Sequence, residues 1–300
     1  MLYKNCPLVT KNQVRGNGFT LYSGLLDDLP IDRYEIVPKL SRQFYDLVVF
    51  SNVWRQFAML FEFQQYLSPK NTVFLDGEDT AQVYPYAGKW LRNWRYWTVP
   101  TVHRQFLYFK REWTPFSKFT MFNLFIPNRF KSKRYSRSLR EIGFAIPEEK
   151  IVQSIPEKHK DFPMHVVDQE LLDVLPRASS DYVFESESMY YHDLQASRFG
   201  VTTKRAGWDC LRHYEIAANA AVPCFRNLSH KPRTCAPHGL TEKNCIEYST
   251  PNSLLETVSK LSKDRYQELQ HNALAWARKN TTVERAKEIL GQINVEKVAS

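Results

Sequence analysis

The sequence predicts an α/β protein made of two parallel-sheet units, one over residues 1–150 and one over 151–300. Three observations carry that reading. The chain has 300 residues, enough for two domains of ordinary size. Short apolar runs alternate with segments of helical spacing in two separate blocks, which is the pattern of βαβ units. Between the blocks, residues 141–170 carry charges and the scattered prolines Pro147, Pro156 and Pro163, as a connection between units does.

In the first block, Tyr45-Asp46-Leu47-Val48-Val49-Phe50 reads as a buried strand. Trp54 to Leu67 follows with Phe57, Leu60, Phe61 and Phe63 at helical spacing, and stops before Pro69. Thr72-Val73-Phe74-Leu75 is the next strand. In the second block, Glu170–Leu175 and Met189–Ser197 read as helices and Phe199–Thr203 as a strand. Lys204–Trp208 is a loop, and Asp209–Ala221 a helix whose acidic first residue suits the positive end of the dipole. Val222–Phe225 and Cys245–Tyr248 are strands; 251–277 and 282–292 are helices entered through Thr250-Pro251 and Thr281/Thr282.

Composition narrows the function classes. With 43% hydrophobic and 24% charged residues the chain is globular rather than disordered. No run of 18 apolar residues is present, so no membrane-spanning helix is expected, and the first residues do not read as a secretory signal. Five cysteines, an odd number without a CxxC pair, fit a reducing, cytoplasmic setting. Cys210, Cys224, Cys235 and Cys245 are spaced by 14, 11 and 10, which lacks the close pairing of a structural zinc site; they read as core residues.

The formal charge of +9 is local. Residues 101–140 hold ten Lys and Arg against one acid, Glu112, and the rest of the chain balances. Sixteen of the 42 aromatics lie between Tyr84 and Tyr135, interleaved with those cations, with Trp90, Trp94 and Trp97 on one helical face. Such a stretch fits core plus solvated surface, a contact with an anionic membrane, or a nucleic-acid surface.

The most informative segment is Phe199 to Phe225: strand, basic glycine loop, helix, strand. A helix N-terminus presents unpaired N–H groups that suit a phosphate. Lys204 and Arg205 stand before it, Gly207 permits close backbone approach, and Arg212 and Glu215 lie within the first turns. A solvated loop with an Arg212–Glu215 surface ion pair is the plain alternative.

Ser197-Arg198-Phe199 … Lys204-Arg205-Ala206-Gly207-Trp208-Asp209 … Arg212-His213-Tyr214-Glu215 … Val222-Pro223 resembles the donor-side motif of GT-B glycosyltransferases, in particular the exostosin-like and spore-coat-like branches. Tyr108-Phe109-Lys110-Arg111-Glu112 is similar to a segment of the spore-coat-like transferases. The resemblance implies two Rossmann-like domains with parallel sheets facing each other across a cleft. It implies a nucleoside-diphosphate sugar as donor, held by Lys204, Arg205, Gly207, Trp208, Arg212 and Glu215, with Arg212 on the diphosphate or sugar and Glu215 on the ribose. A saccharide or lipid-linked saccharide would be the acceptor, with no required metal. Ala220 stands where the family has glycine, and Asn219 is expected to supply the left-handed turn.

Asp76-Gly77-Glu78-Asp79 follows a buried strand, where open parallel sheets place functional groups. Asp76, Glu78 and Asp79 are the candidate catalytic carboxylates, with Asp76 or Asp79 as general base. In a metal-dependent GT-A-type enzyme the same three would hold a divalent cation. An acidic turn is the plain alternative. Gly16 and Gly18 form a candidate cleft loop. The rival functions are a nucleic-acid-binding protein or DNA-modifying transferase, and a catalytically silent transferase-like protein.

Overall fold

A computed structural model describes residues 33–51, 64–81, 106–114 and 138–299. Gly16, Gly18, most of the 54–67 helix, the tryptophan face and most of the basic aromatic stretch lie outside the described residues. Two α/β regions face each other across a cleft, each with a parallel sheet, in a GT-B-like arrangement of Rossmann-like units.

The first sheet has the order β1-β2-β3-β4 (Val48–Ser51, Thr72–Asp76, Leu107–Lys110, Leu139–Glu141). All its pairings are parallel, with Val48 opposite Thr72, Val73 opposite Leu107 and Tyr108 opposite Leu139. Alternate side chains point to opposite faces of a strand. Val48, Phe50, Phe74, Phe106 and Tyr108 therefore pack on one face with Leu40 of helix α1 (Arg33–Ser41). Val73, Leu107, Phe109 and Ile142 pack on the other. Sequence patterning had found β1 and β2 but not β3 and β4, and part of the latter falls in the stretch read as a connection.

The second sheet has the order β5-β6-β7 (Phe199–Thr203, Val222–Arg226, Ile246–Tyr248), again parallel. Helix α2 (Glu187–Ala196) leads into β5, and α3 (Leu211–Ala218) joins β5 to β6. The segment expected as one helix over 251–277 is two, α4 (Pro251–Lys260) and α5 (Lys263–Lys279). The chain is extended at Leu261, and the Ser262 side chain caps α5 by accepting from the Arg265 N–H, so the break needs neither Gly nor Pro. Residues 170–175, expected as an α-helix, form a 3-10 turn over Gln169–Asp173.

Helix α3 differs from the expected 209–221 at both ends. Cys210, not Asp209, is the N-cap, and it offers no side-chain hydrogen bond to the first turn. At the far end Asn219 is not left-handed; Ala220 is, with φ of 54°. The Ala221 N–H reaches back to the Ile216 carbonyl at 3.1 Å, the long-range bond of a Schellman turn. Asn219 instead spends its amide N–H on the Glu215 carbonyl at 2.8 Å.

The last helix, α6 (Thr282–Ala299), returns to the first sheet, where Ile289 and Ile293 pack against Val73, Leu107 and Phe109. Its entry is fixed by a bridge: the Ile146 N–H donates to the Asn280 carbonyl and the Thr282 N–H to the Ile146 carbonyl, each at 3.0 Å.

Helix α3 lies against β5 so closely that a Cβ on Gly200 would stand 2.6 Å from two carbons of Ile216. Ile216 is β-branched and buried, so it has no rotamer to retreat to. Gly200→Ala is expected to destabilise by about 1–3 kcal/mol, and Gly200→Ala/Ile216→Ala to lose less than the sum of the losses of Gly200→Ala and Ile216→Ala. Urea denaturation of the two variants checks this.

Candidate functional site

The carboxyl ends of β2 and β3 in the first unit meet the β5–α3 loop of the second. Asp76 closes β2 and is 1% exposed. Its Oδ1 pairs with Lys110 Nζ at 3.0 Å and accepts the Glu78 N–H at 3.0 Å, while Oδ2 accepts the Tyr108 hydroxyl. A buried charge so fully paired holds its loop in shape. Lys110 also donates to the Glu78 carbonyl at 3.3 Å. The carboxylate at the loop tip, Asp79, is 47% exposed and pairs with Arg111.

Arg111 is 3% exposed and is the hub of the interface. Its Nε and Nη2 donate to the Gly77 carbonyl at 3.0 and 2.7 Å. Nη2 also reaches Asp79, and Nη1 donates across the cleft to the Asp209 carbonyl. The guanidinium lies over the Phe144 ring, 4.4 Å from its centroid.

Glu112, also 3% exposed, works on the same loop from the same side. Its Oε1 accepts the backbone N–H groups of Trp208 at 2.8 Å and Asp209 at 3.1 Å. Gly207 is required by this approach: a Cβ there would lie 2.5 Å from Glu112 Oε1 and 2.8 Å from Asp79 Oδ1. Asp209 is buried, accepting the Phe144 N–H at 2.8 Å and the Tyr214 hydroxyl at 3.1 Å. It serves the interface rather than the helix dipole.

The loop between β5 and α3 is supported by His213, which is fully buried. His213 Nε2 lies 2.9 Å from the Trp208 carbonyl and Nδ1 2.8 Å from Thr202 Oγ1. The carbonyl only accepts, so Nε2 carries the proton and the threonine hydroxyl donates to Nδ1. The Trp208 ring stacks on Phe225 at 6.3 Å, with Lys204 Nζ 5.8 Å above it.

Lys204 and Arg205 are exposed and Arg212 half-buried at the uncapped start of α3. Among the described residues none of the three has a carboxylate partner; Arg212 makes only a cation–π contact with Tyr190, at 5.8 Å. The surface Arg212–Glu215 pair does not form. Glu215 is 2% exposed and accepts the hydroxyls of Tyr190 at 3.1 Å and Tyr191 at 3.4 Å. Burial pushes its carboxyl up to about 8, against the pull of Arg212. Tyr191 also lines a cavity of about 400 Å³ with Lys150, Glu187, His192 and Gln195, so the carboxyl of Glu215 is one side chain away from solvent-accessible space.

The structure thus brings Asp79, Gly207 and Arg111 together. Lys204, Arg205, Arg212 and Glu215 are grouped on the second unit, and Asp76 is set into the base of its loop. Among the described residues no three His, Cys, Asp or Glu side chains form a set that could hold a metal ion. Cys224, Cys235 and Cys245 are buried and unbridged. Sequence reasoning assigns no role to Tyr190, Tyr191 or His213, and reads Arg111 and Glu112 only as members of a segment whose charge is in part architectural or cleft-lining. One signal was available for Glu112, as the single acid in a block of ten cations.

The sequence matches no family model and no curated protein. Solved structures similar to the chain include TarM, with a TM-score of 0.51 and 10% identity over 86% of this chain and 57% of that one. The glycosyltransferase from Rickettsia africae ESF-5 matches with a TM-score of 0.49 and 9% identity over 88% and 80%. The pneumococcal O-GlcNAc transferase GtfA, solved in complex with UDP and GlcNAc, gives 0.48 and 8% over 88% and 60%. At such identity the likeness to TarM is one of fold, and this chain spans little more than half of TarM's length.

Burial, the largest cause, brings His213 from an ordinary 6.5 down to about 4. The unfolded chain therefore binds this proton more readily than the folded one between those values. Stability is full above about pH 6.5 and falls as the pH drops towards 4, by about 3 kcal/mol from this residue. Denaturation across that range is expected to show the slope, and His213→Gln to flatten it.

Proposed function

We propose that the protein is a glycosyltransferase that moves a sugar from a nucleoside-diphosphate sugar to a saccharide or lipid-linked saccharide. The observation that carries this reading is that Lys204 and Arg205 in the loop before α3, and Arg212 in its first turn, form no ion pair with a carboxylate among the described residues, while α3 has no side-chain cap. Cations without an ion-pair partner in and before the first turn of a helix with no side-chain cap suit a diphosphate. Glu215 lies one turn further in, with its oxygens held by the Tyr190 and Tyr191 hydroxyls, so its proposed role toward the ribose requires a ribose hydroxyl to take the place of one of those tyrosines. Lys204, Arg205, Arg212 and the N–H groups of α3 stabilise the negative charge that develops on the diphosphate as the anomeric C–O bond breaks, so no metal is required. Gly207 and Trp208 shape the loop that carries these groups. The fold likeness to TarM agrees with a GT-B arrangement, and the sequence resemblance to the exostosin-like and spore-coat-like branches supports the same reading.

For the base that takes the acceptor proton, Asp79 is the first choice, because it is partly exposed and borders the donor loop at Gly207. Glu78 is the second. Asp76 is reassigned to holding the loop, since its oxygens are occupied by Lys110, Tyr108 and the Glu78 N–H. The reaction is proposed for the cytoplasmic side, with the cations of 101–140 directed at the acceptor or the anionic membrane that carries it. Lys110 and Arg111 are subtracted from that surface because both are buried in ion pairs; this also weakens the nucleic-acid alternative.

Thermal shift against UDP, GDP, ADP and CMP and their sugars tests the donor site. At least one is expected to stabilise the protein, and Arg212→Ala to abolish the stabilisation. A full panel without effect, or an unaffected Arg212→Ala, refutes the reading.

The carboxylates separate in a paired measurement of turnover and unfolding. Asp79→Asn is expected to lose turnover and to destabilise by less than Asp76→Asn, because buried Arg111 keeps the charge of Glu112 and the Gly77 and Asp209 carbonyls. Asp76→Asn strands the Lys110 charge and is expected to cost about 3 kcal/mol.

A further inference from the structure

We propose that Glu112 is a positioning residue for the donor site: a carboxylate from the first unit that holds the donor loop of the second in its ligand-ready shape. The inference rests on the donor-site reading above and adds a residue to it.

The loop between β5 and α3 has little internal support. Lys204, Arg205 and Ala206 are exposed, and one backbone bond, Arg205 N–H to the Gly207 carbonyl at 3.1 Å, turns the chain there. Side chains fix the rest from two directions. His213 holds the Trp208 carbonyl from within the second unit. Glu112 holds the N–H groups of Trp208 and Asp209 from the opposite unit, with one oxygen accepting both.

Glu112 has little freedom to do otherwise. Its backbone bridges Cys235 of the second unit, and Arg111 beside it is fastened to Gly77, Asp79 and the Asp209 carbonyl. Its charge is balanced by Arg111, with Nη1 3.4 Å from Oε1. Because Glu112 consumes the N–H groups of residues 208 and 209, a bound diphosphate meets the start of α3 and the three cations instead. Removing the carboxylate frees two N–H groups and releases the loop, so the cations lose their common geometry. Donor affinity then depends on a residue that never touches the donor.

The test is calorimetric titration of UDP, GDP and ADP into the wild type, Glu112→Ala, Glu112→Gln and Gly207→Ala. Glutamine keeps an oxygen that accepts both N–H groups. Gly207→Ala keeps Glu112 but places a methyl where its carboxylate sits. Whichever nucleotide binds the wild type is expected to bind Glu112→Ala and Gly207→Ala at least tenfold more weakly, and Glu112→Gln within threefold. Equal binding by a folded Glu112→Ala overturns the proposal, as does a Glu112→Gln as weak as the alanine variant. If Glu112→Ala does not fold, the Glu112→Gln and Gly207→Ala pair decides by the same thresholds. A wild type that binds none of the three refutes the donor-site reading itself, which the variants cannot do.

Discussion

The guanidinium of Arg111 is the contact on which the arrangement of the two units depends. It is buried, so its five donors need acceptors, and it finds them on both sides of the cleft. The Gly77 carbonyl and Asp79 belong to the loop after β2, and the Asp209 carbonyl to the loop before α3. A lysine could not replace it, because a single ammonium cannot present the planar fork that reaches three acceptors on two loops. Glu112 follows in the chain and faces the same loop, so two adjacent residues position both halves of the proposed site.

The loops themselves are built for that approach. Asp76, Lys110 and Tyr108 form a dry polar cluster that sets the acidic loop from below, and His213 with Thr202 does the same for the donor loop. Each cluster pairs every charge or proton it buries, as a low-dielectric site demands. The groups left over, Lys204, Arg205 and Arg212, lie above these supports. The division between satisfied groups below and unneutralised cations above is what makes the loop a candidate site rather than a piece of core.

Most of the second unit is legible in the sequence, because β5, β6 and β7 are apolar runs bounded by loops. The first unit is legible as far as β2. Strand β3 escapes because it runs into Lys110-Arg111-Glu112 within the basic aromatic stretch, whose role composition leaves open between core, surface and binding patch; their partners lie some 30 residues upstream or almost 100 downstream. The role of Asp76 is hidden for the same reason, since a carboxylate after a strand looks the same whether it faces a substrate or Lys110. Asp209 reads as a helix start by local rules, but its oxygens are claimed by Phe144 and Tyr214. Local preference also places the left-handed turn at Asn219, whereas tertiary contacts claim its side chain and leave Ala220 to make it. The residues of the β5–α3 loop stand out in the sequence as candidates because their chemistry is local: a glycine, three cations and a helix start.

The return of α6 to the first sheet means that the chain passes between the units twice. The two passages run side by side, joined where Ile146 bridges Thr281. A single tether lets two bodies swivel about any axis, whereas a paired, hydrogen-bonded one resists twist. The entry of α6 is therefore tied to the stretch after β4, and a change of backbone in either passage is carried to the other through the Ile146 bridge.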